Sequence, residues 1–174
     1  MENPLRLAEQ EQIAAWEAID RMRNTSQFEE IEASYRSVLN HIGKLWIKAE
    51  RSCTHFGETF RSWQIPYREL RETDPLLNYF RHARNADNHT VQDISYLVTG
   101  HLHIHGERLG FSLLDSPVPS IGRVIDRGVM FEVPLTHLGR ELGTKDPREV
   151  CIHVYNFYAD YLKDLRGEFF AVAS

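Results

Sequence analysis

The chain has 174 residues, of which 42% are hydrophobic and 11% aromatic, so it can bury the core of one domain and is not disordered. Its net charge of -5 excludes a general nucleic-acid coat protein, although it leaves room for a local basic cleft. No apolar run is long enough to span a bilayer, and the first residues lack a signal-peptide pattern. We therefore expect a cytoplasmic protein with a single domain over residues 1–174.

Three predicted helices share a start signal, in which a capping Asn or Asp precedes a proline in the first turn. These pairs are Asn3-Pro4, Asp74-Pro75 and Asp146-Pro147. The first pair opens a helix over about 4–23, and its apolar stripe is expected to bury Ile13, Trp16 and Ile19. The last pair opens a closing helix over about 147–169, with an apolar stripe formed by Val150, Val154, Tyr158, Tyr161 and Leu165.

A long second helix is the strongest periodic pattern in the chain. Ser26 and Glu29 are spaced as a capping box, which predicts where this helix begins. Apolar residues then recur in steps of three and four, as in a long bundle helix: Phe28, Ile31, Tyr35, Val38, Ile42, Leu45 and Ala49. A shorter helix is predicted over about 58–71, broken or bent near Pro66. Cys53 and Cys151 fall on apolar helical positions, which predicts reduced thiols in the core.

Residues 98–134 have a different pattern, in which apolar and polar residues alternate as in strands. The segments 124–125 and 129–133 flank the turn sequence Asp126-Arg127-Gly128, which predicts a hairpin. We therefore expect a small antiparallel β insertion at about 98–134. The fold class is mainly α (α+β), an antiparallel bundle of four or five helices that carries this insertion.

The fourth helix, predicted over 75–90, separates an apolar face from a polar face. The apolar face contains Leu76, Tyr79, Phe80, Ala83, Ala86 and Thr90, and the polar face contains Arg81, Arg84, Asn85, Asn88 and His89. Arg81, Asn85 and His89 follow one another at i, i+4 and i+8, along one ridge. Arginine binds phosphate through its planar fork of donors, and histidine transfers protons near neutral pH. The set predicts metal-free RNA cleavage, with Arg81 and Asn88 binding the substrate.

The segment Arg84-Asn85-Ala86-Asp87-Asn88-His89 resembles the Arg-polar-x3-His motif of the HEPN superfamily (higher eukaryotes and prokaryotes nucleotide-binding). A long early helix and a closing helix agree with this resemblance, which covers about 26–95 and 147–169. It implies a divergent, bacterial-type HEPN bundle with a β insertion. It further implies a metal-independent endoribonuclease without a cofactor, of the kind used as a toxin or defence effector, in which Arg84 and His89 are the catalytic pair and Asn85 the polar partner.

A homodimer is expected because one histidine cannot act as base and acid at the same moment. Two-fold pairing would bring two sets of Arg84 and His89 into one groove. RNA cleaved there by its own 2′-hydroxyl would carry 2′,3′-cyclic phosphate ends. A second hypothesis stays open, in which the same polar face belongs to a non-catalytic HEPN-like module that binds a nucleotide, an antitoxin or another partner protein.

Two other groups of residues that contain histidine are candidates for chemistry. Alternation on a predicted strand would place three imidazoles on one face, as zinc ligands or as a solvated or packed surface. These are His101, His103 and His105. Glu107 and Asp115 are the carboxylates available to complete such a metal site. His137 and Arg140 enter a predicted short helix, where they either add a basic edge to the cleft or have a structural capping role.

Overall fold

A computed structural model of the chain describes residues 3–89, 92–98 and 118–170. Within these residues five α-helices pack as a bundle, accompanied by three two-stranded antiparallel sheets. The helices are α1 (Arg6–Arg23), α2 (Phe28–Cys53), α3 (Gly57–Thr73), α4 (Pro75–His89) and α5 (Pro147–Phe169). The prediction of a mainly helical fold with antiparallel strands is confirmed. Within the described ranges, no helix combines the length and apolar character needed to cross a membrane.

The core is built around α2, which packs against α1, α4 and α5. Six of the seven residues in its predicted stripe are buried, and Phe28 at the start is half-buried. The predicted stripe of α5 is buried along its whole length. The rings of Trp46 and Tyr161 stack with their centroids 4.8 Å apart, which fixes the contact between α2 and α5.

Two of the three predicted start signals act as caps. The Asp74 carboxylate accepts hydrogen bonds from the backbone N–H groups of Leu76 and Leu77 at the start of α4. The Asp146 carboxylate accepts from the N–H of Arg148 at the start of α5. Each bond satisfies an N–H that has no partner within its own helix, as the Asp-Pro pairs predict.

The other two helix starts differ from the prediction. The Asn3 side chain accepts from the N–H of Leu5 as a capping residue does, but the Asn3 carbonyl accepts from the N–H of Arg6 in a turn, and α1 begins at Arg6, two residues later than expected. The capping box at Ser26 is wrong. Gln27, not Ser26, immediately precedes α2 and makes no side-chain cap, and its backbone N–H donates to the Thr25 hydroxyl.

The predicted core stripe of α1 is also wrong in part. Ile13 and Trp16 are 59% and 41% exposed, although Ile19 is buried. Small residues fill most of the contact instead: Ala8, Ala15 and Ala18. The predicted break in α3 is absent too, since that helix continues through Pro66. Pro66 lies on the exposed face, where water can bond the carbonyl that loses its helical partner.

The strands form three hairpin-like pairs. They are β1 (Ser95–Val98) with β2 (Val118–Ile121), β3 (Val124–Asp126) with β4 (Val129–Phe131), and β5 (Thr136–His137) with β6 (Arg140–Glu141). The predicted hairpin around residues 124–131 is confirmed, and its turn residues Arg127 and Gly128 have φ angles of 50° and 80°. The strand predicted to carry His101, His103 and His105 lies outside the described residues.

The short helix predicted near His137 is replaced by the β5–β6 hairpin. Its turn residues, Leu138 and Gly139, have φ angles of 48° and 74°. Two successive positive φ angles reverse the chain too tightly for a helix to continue. The Leu138 N–H donates to the Asp74 carboxylate at 2.6 Å, which holds this turn against the start of α4.

Both cysteines are buried free thiols, as predicted. Burial raises the pKa of Cys53 to about 12 and places that of Cys151 well above its usual value. We expect neither thiol to react with Ellman's reagent in the native protein at mildly alkaline pH, because both lie in the core as thiols rather than thiolates. Both should react after unfolding in guanidinium chloride. Rapid labelling before unfolding would contradict the packing of α2 and α5.

Candidate functional site

Helix α4 lies against α2 and α3 and against the β3–β4 hairpin. Its predicted apolar residues are buried over the described length of the helix, and Leu77 is buried with them. Thr90 falls outside the described residues. Because partners surround α4 on several sides, its polar residues divide among three environments: the crevice towards α2 and α3, the hairpin, and solvent.

Arg84 lies in the first environment, with its side chain across Gly43 of α2. A Cβ atom placed on Gly43 would come within 2.4 Å of Cδ and Nε of Arg84, so this glycine makes room for the arginine. The Nε atom of Arg84 is buried without a hydrogen-bond partner. Over the described part of the chain, Arg84 forms no ion pair and no hydrogen bond.

Three more arginines lie close to Arg84. Arg71 and Arg81 line the same narrow crevice as Arg84, above the apolar side chains of Leu39 and Phe80. A more open cavity of about 210 Å³ shares Arg71 and Arg81 with that crevice and adds Arg68, Glu50 and Glu72 to its lining. We call the four residues Arg68, Arg71, Arg81 and Arg84 the arginine cluster.

Only part of the positive charge in the arginine cluster is neutralised. Arg68 is paired with Glu50 at 2.9 Å, whereas Arg81 approaches Glu72 only to 3.5 Å. Arg71 donates to the Tyr158 hydroxyl and lies 3.9 Å from the centre of the Trp46 ring, an arrangement that leaves its charge without a carboxylate.

Across the crevice and the adjoining cavity together, four arginines and two glutamates leave two positive charges. Half-buried guanidinium groups that lack a full set of acceptors favour an anion, because an anion supplies acceptors and charge together.

Asn85 lies in the second environment and is held by the hairpin. The Asp126 Oδ2 atom on β3 accepts from Asn85 Nδ2 at 3.2 Å and lies 2.7 Å from His82 Nδ1. The Phe131 ring of β4 stacks on the His82 ring, with centroids 3.6 Å apart. The hydrogen bond from His82 lowers the pKa of the buried Asp126 carboxyl against the opposing effect of burial. Asn85 therefore has an acidic partner already.

Asn88 and His89 lie in the third environment, exposed at the end of α4. Over the described part of the chain neither side chain forms a hydrogen bond or an ion pair. Arg84 and His89 are separated by about 140° around the helix, since each residue turns it by about 100°. The structure thus brings Arg81 and Arg84 together and joins Asn85 to His82, while Asn88 and His89 stay at the surface.

Sequence reasoning missed His82 and Asp126. His82 lies three residues before Asn85, and this helical spacing indicates that the two side chains share one side of α4. Asp126 was interpreted only as a turn residue of the hairpin. Nothing in the local sequence indicates that this carboxylate reaches a helix 44 residues earlier in the chain.

The other predicted clusters have different outcomes. The predicted metal cluster of His101, His103 and His105 lies outside the described residues, and within residues 3–89, 92–98 and 118–170 no three His, Cys, Asp or Glu side chains are placed to hold a metal ion. His137 is buried, with Nδ1 2.9 Å from the Asp74 carboxylate that caps α4, which agrees with a structural role. Arg140 and His137 line a separate cavity of about 520 Å³ with His153. They are absent from the lining of the arginine cluster.

The geometry around α4 supports two kinds of chemistry, anion binding by the arginine cluster and proton transfer by imidazole. Comparisons with protein-family models, with curated proteins and with solved structures found no match for this chain. A proposal of function must therefore be based on the arginine cluster, the histidines of α4 and the motif from Arg84 to His89.

Proposed function

We propose that the protein binds RNA at the arginine cluster and cleaves it without a metal ion, as an HEPN-like endoribonuclease. The observation that carries this proposal is the setting of Arg84. Its guanidinium is half-buried over a glycine, with Nε sealed from solvent and no acidic partner over the described part of the chain. An arginine held in this way is prepared for an anion that arrives from outside.

A phosphodiester is the anion that fits the cluster best. Each RNA phosphate carries one negative charge and offers oxygen atoms that match the planar donors of arginine. The crevice has about two uncompensated positive charges although the chain as a whole has a net charge of -5. The local field would therefore direct RNA to this crevice rather than to the rest of the surface.

The proposed nuclease is a homodimer in which the exposed end of α4 faces the groove. His89 is exposed and forms no hydrogen bond over the described residues, so it is available to a substrate or to a second copy of the chain. Two-fold pairing near this end would place the partner's motif beside the same groove. Light scattering that shows a monomer under assay conditions would contradict the shared groove.

A second candidate function is supported by a specific observation. Asn85 is bound to Asp126, and Arg84 and His89 point about 140° apart around α4, so the three motif side chains do not converge within one chain. In this alternative, the arginine cluster holds a nucleotide, an RNA strand or an acidic segment of a partner such as an antitoxin, and no bond is cleaved.

The test combines RNA binding with RNA cleavage. With single-stranded RNA and EDTA, we expect cleavage that leaves 2′,3′-cyclic phosphate ends. Arg84→Lys should weaken binding by about 10–100-fold, because an ammonium does not reproduce the two-pronged phosphate contact. His89→Ala should slow cleavage by about 10²–10⁴-fold. Fluorescence anisotropy and gel analysis of end-labelled RNA measure the two effects, and Arg21→Lys on the exposed surface of α1 is the matched control.

Each result separates the hypotheses. Binding that depends on Arg84 without any cleavage would favour the non-catalytic module. Activity that disappears with EDTA and depends on His101, His103 or His105 would favour a metal site on the predicted strand. If Arg84→Lys binds every RNA tested as tightly as the wild type does, the arginine cluster is not the RNA site.

A further inference from the structure

A second histidine lies on the same stripe of α4 as His89. His82, Asn85 and His89 occupy positions i, i+3 and i+7, so they follow one line along the helix. The two histidines are separated by two turns, about 10.5 Å between their Cα atoms. The first two residues of this line, His82 and Asn85, face β3 and both contact Asp126.

The surroundings of His82 fix both the orientation and the tautomer of its ring. Asp126 is an ionised acceptor, so the Nδ1 atom of His82 carries the proton that is shared with it. The Nε2 atom then accepts a hydrogen bond from Nη2 of Arg81 at 3.4 Å. Stacking on Phe131 prevents the ring from rotating, and the side chain keeps 19% of its surface exposed.

Arg81 connects this ring to the arginine cluster. One guanidinium nitrogen of Arg81 lies beside His82 Nε2, and the same residue lines the crevice that contains Arg84. A phosphate that takes over this Arg81 donor would therefore lie beside His82 Nε2 and leave the lone pair of that nitrogen without a donor. An oriented carboxylate, an imidazole whose second nitrogen is released in this way and an adjacent arginine are the groups that deprotonation of a hydroxyl beside a phosphate requires.

We propose that His82 is the general base of the RNA cleavage, with Asp126 as its positioning residue and His89 as the general acid. The proposal rests on the proposed ribonuclease function and deepens it. His82 Nε2 takes the proton of the 2′-hydroxyl while the 2′-oxygen forms a bond to phosphorus. The bond from phosphorus to the 5′-oxygen breaks, and that oxygen receives a proton from His89. The products are a 2′,3′-cyclic phosphate and a 5′-hydroxyl.

The spacing of the two histidines agrees with this division of roles. An in-line displacement places the base and the acid on opposite sides of phosphorus, each at a hydrogen bond of about 2.7 Å from its oxygen. Rings whose Cα atoms are about 10.5 Å apart leave room for the phosphate between them. One chain therefore carries a candidate base and a candidate acid on the same stripe of α4.

The charged groups around His82 determine how the rate depends on pH. Arg81 faces the ring from α4, Asp126 faces it from β3, Arg127 in the adjoining turn acts on Asp126, and Phe131 from β4 is uncharged. The base must be neutral and the acid protonated. A general base and a general acid that act together give a bell-shaped dependence of the cleavage rate on pH.

The deciding experiment compares single-turnover cleavage by His82→Gln with RNA binding by the same variant. Glutamine keeps an amide that can bond Asp126 but cannot transfer the proton. We expect a loss of about 10²–10⁴-fold in rate, unchanged affinity for RNA and no rising limb in the pH profile. Asp126→Asn should also lower the cleavage rate without changing the affinity for RNA, because an amide donor favours the other tautomer of the His82 ring. His153→Gln, at an exposed position on α5, is the control that should change neither quantity.

A third variant covers the case in which His82→Gln or Asp126→Asn fails to fold. His82→Ala leaves a space between Asp126 and Phe131, and added imidazole should restore part of the cleavage rate there, which a purely structural histidine would not show. If His82→Gln keeps the wild-type rate and pH profile, the proposal is overturned while RNA cleavage by the protein stands. If the wild-type protein cleaves no RNA at all, the ribonuclease function fails and the role of His82 fails with it.

Discussion

Gly43→Ala should weaken RNA binding by about 10–100-fold without destabilising the protein. The added Cβ would lie 2.4 Å from Cδ and Nε of Arg84 and 2.8 Å from its Cζ, well inside contact distance. These atoms are the far end of a flexible side chain and not backbone, so the arginine is displaced while α2 remains in place. Alanine also favours a helix over glycine by about 0.5–1 kcal/mol, which raises the free energy of unfolding.

The measurement pairs fluorescence anisotropy with denaturant unfolding. Gly167→Ala on α5 is a matched control, because a Cβ there meets no atom within contact distance, and it should leave RNA binding unchanged. The double variant Gly43→Ala/Arg84→Ala should bind no more weakly than Arg84→Ala alone, since both changes remove the same contact. Additive losses would show that Gly43 acts on binding by some route other than the position of Arg84.

Asp74→Ala should lower the free energy of unfolding by about 3–5 kcal/mol, the largest stability effect expected outside the apolar core. Asp74 caps α4 through the N–H groups of Leu76 and Leu77. The same buried carboxylate also accepts from Leu138 and bonds the His137 ring, so it joins the β5–β6 hairpin to the bundle. Its removal leaves several buried donors without acceptors.

Asp146→Ala is the comparison for Asp74→Ala. Asp146 caps α5 through a single backbone N–H and otherwise pairs with the half-buried Arg148. Its removal should lower the free energy of unfolding by about 1 kcal/mol, the usual value of one cap. Guanidinium chloride unfolding followed by circular dichroism measures both variants. Equal losses in the two would contradict the role of Asp74 in holding the hairpin.

The parts of the fold that depend on local chemistry could be predicted from the sequence. The stripe of α2, the Asp-Pro starts of α4 and α5, and the turn at Arg127 and Gly128 follow from spacing and backbone preference alone. Errors arose where a distant partner decided the outcome. Trp16 has the right spacing for the core, but the alanines of α1 fill that contact and leave the indole 41% exposed.

The candidate site shows the same division. The sequence predicts which side chains α4 carries, because helical spacing determines their order around the axis. It does not predict that Asn85 binds Asp126, or that Gly43 leaves the space occupied by the Arg84 side chain, because both contacts join segments far apart in the chain. The convergence of Arg71 with Arg81 is likewise a product of how α3 packs on α4.

The long separation between His82 and Asp126 also has a consequence for the order in which the protein is completed during translation. The pair closes a loop of 44 residues, which costs on the order of 3 kcal/mol of chain entropy before any contact compensates for it. By contrast, α1 and α2 are adjacent in sequence and can pair as soon as both have left the ribosome. A nascent chain in which α4 has left the ribosome but β3 has not therefore lacks the carboxylate that orients the His82 ring. The His82–Asp126 pair can form only late in synthesis.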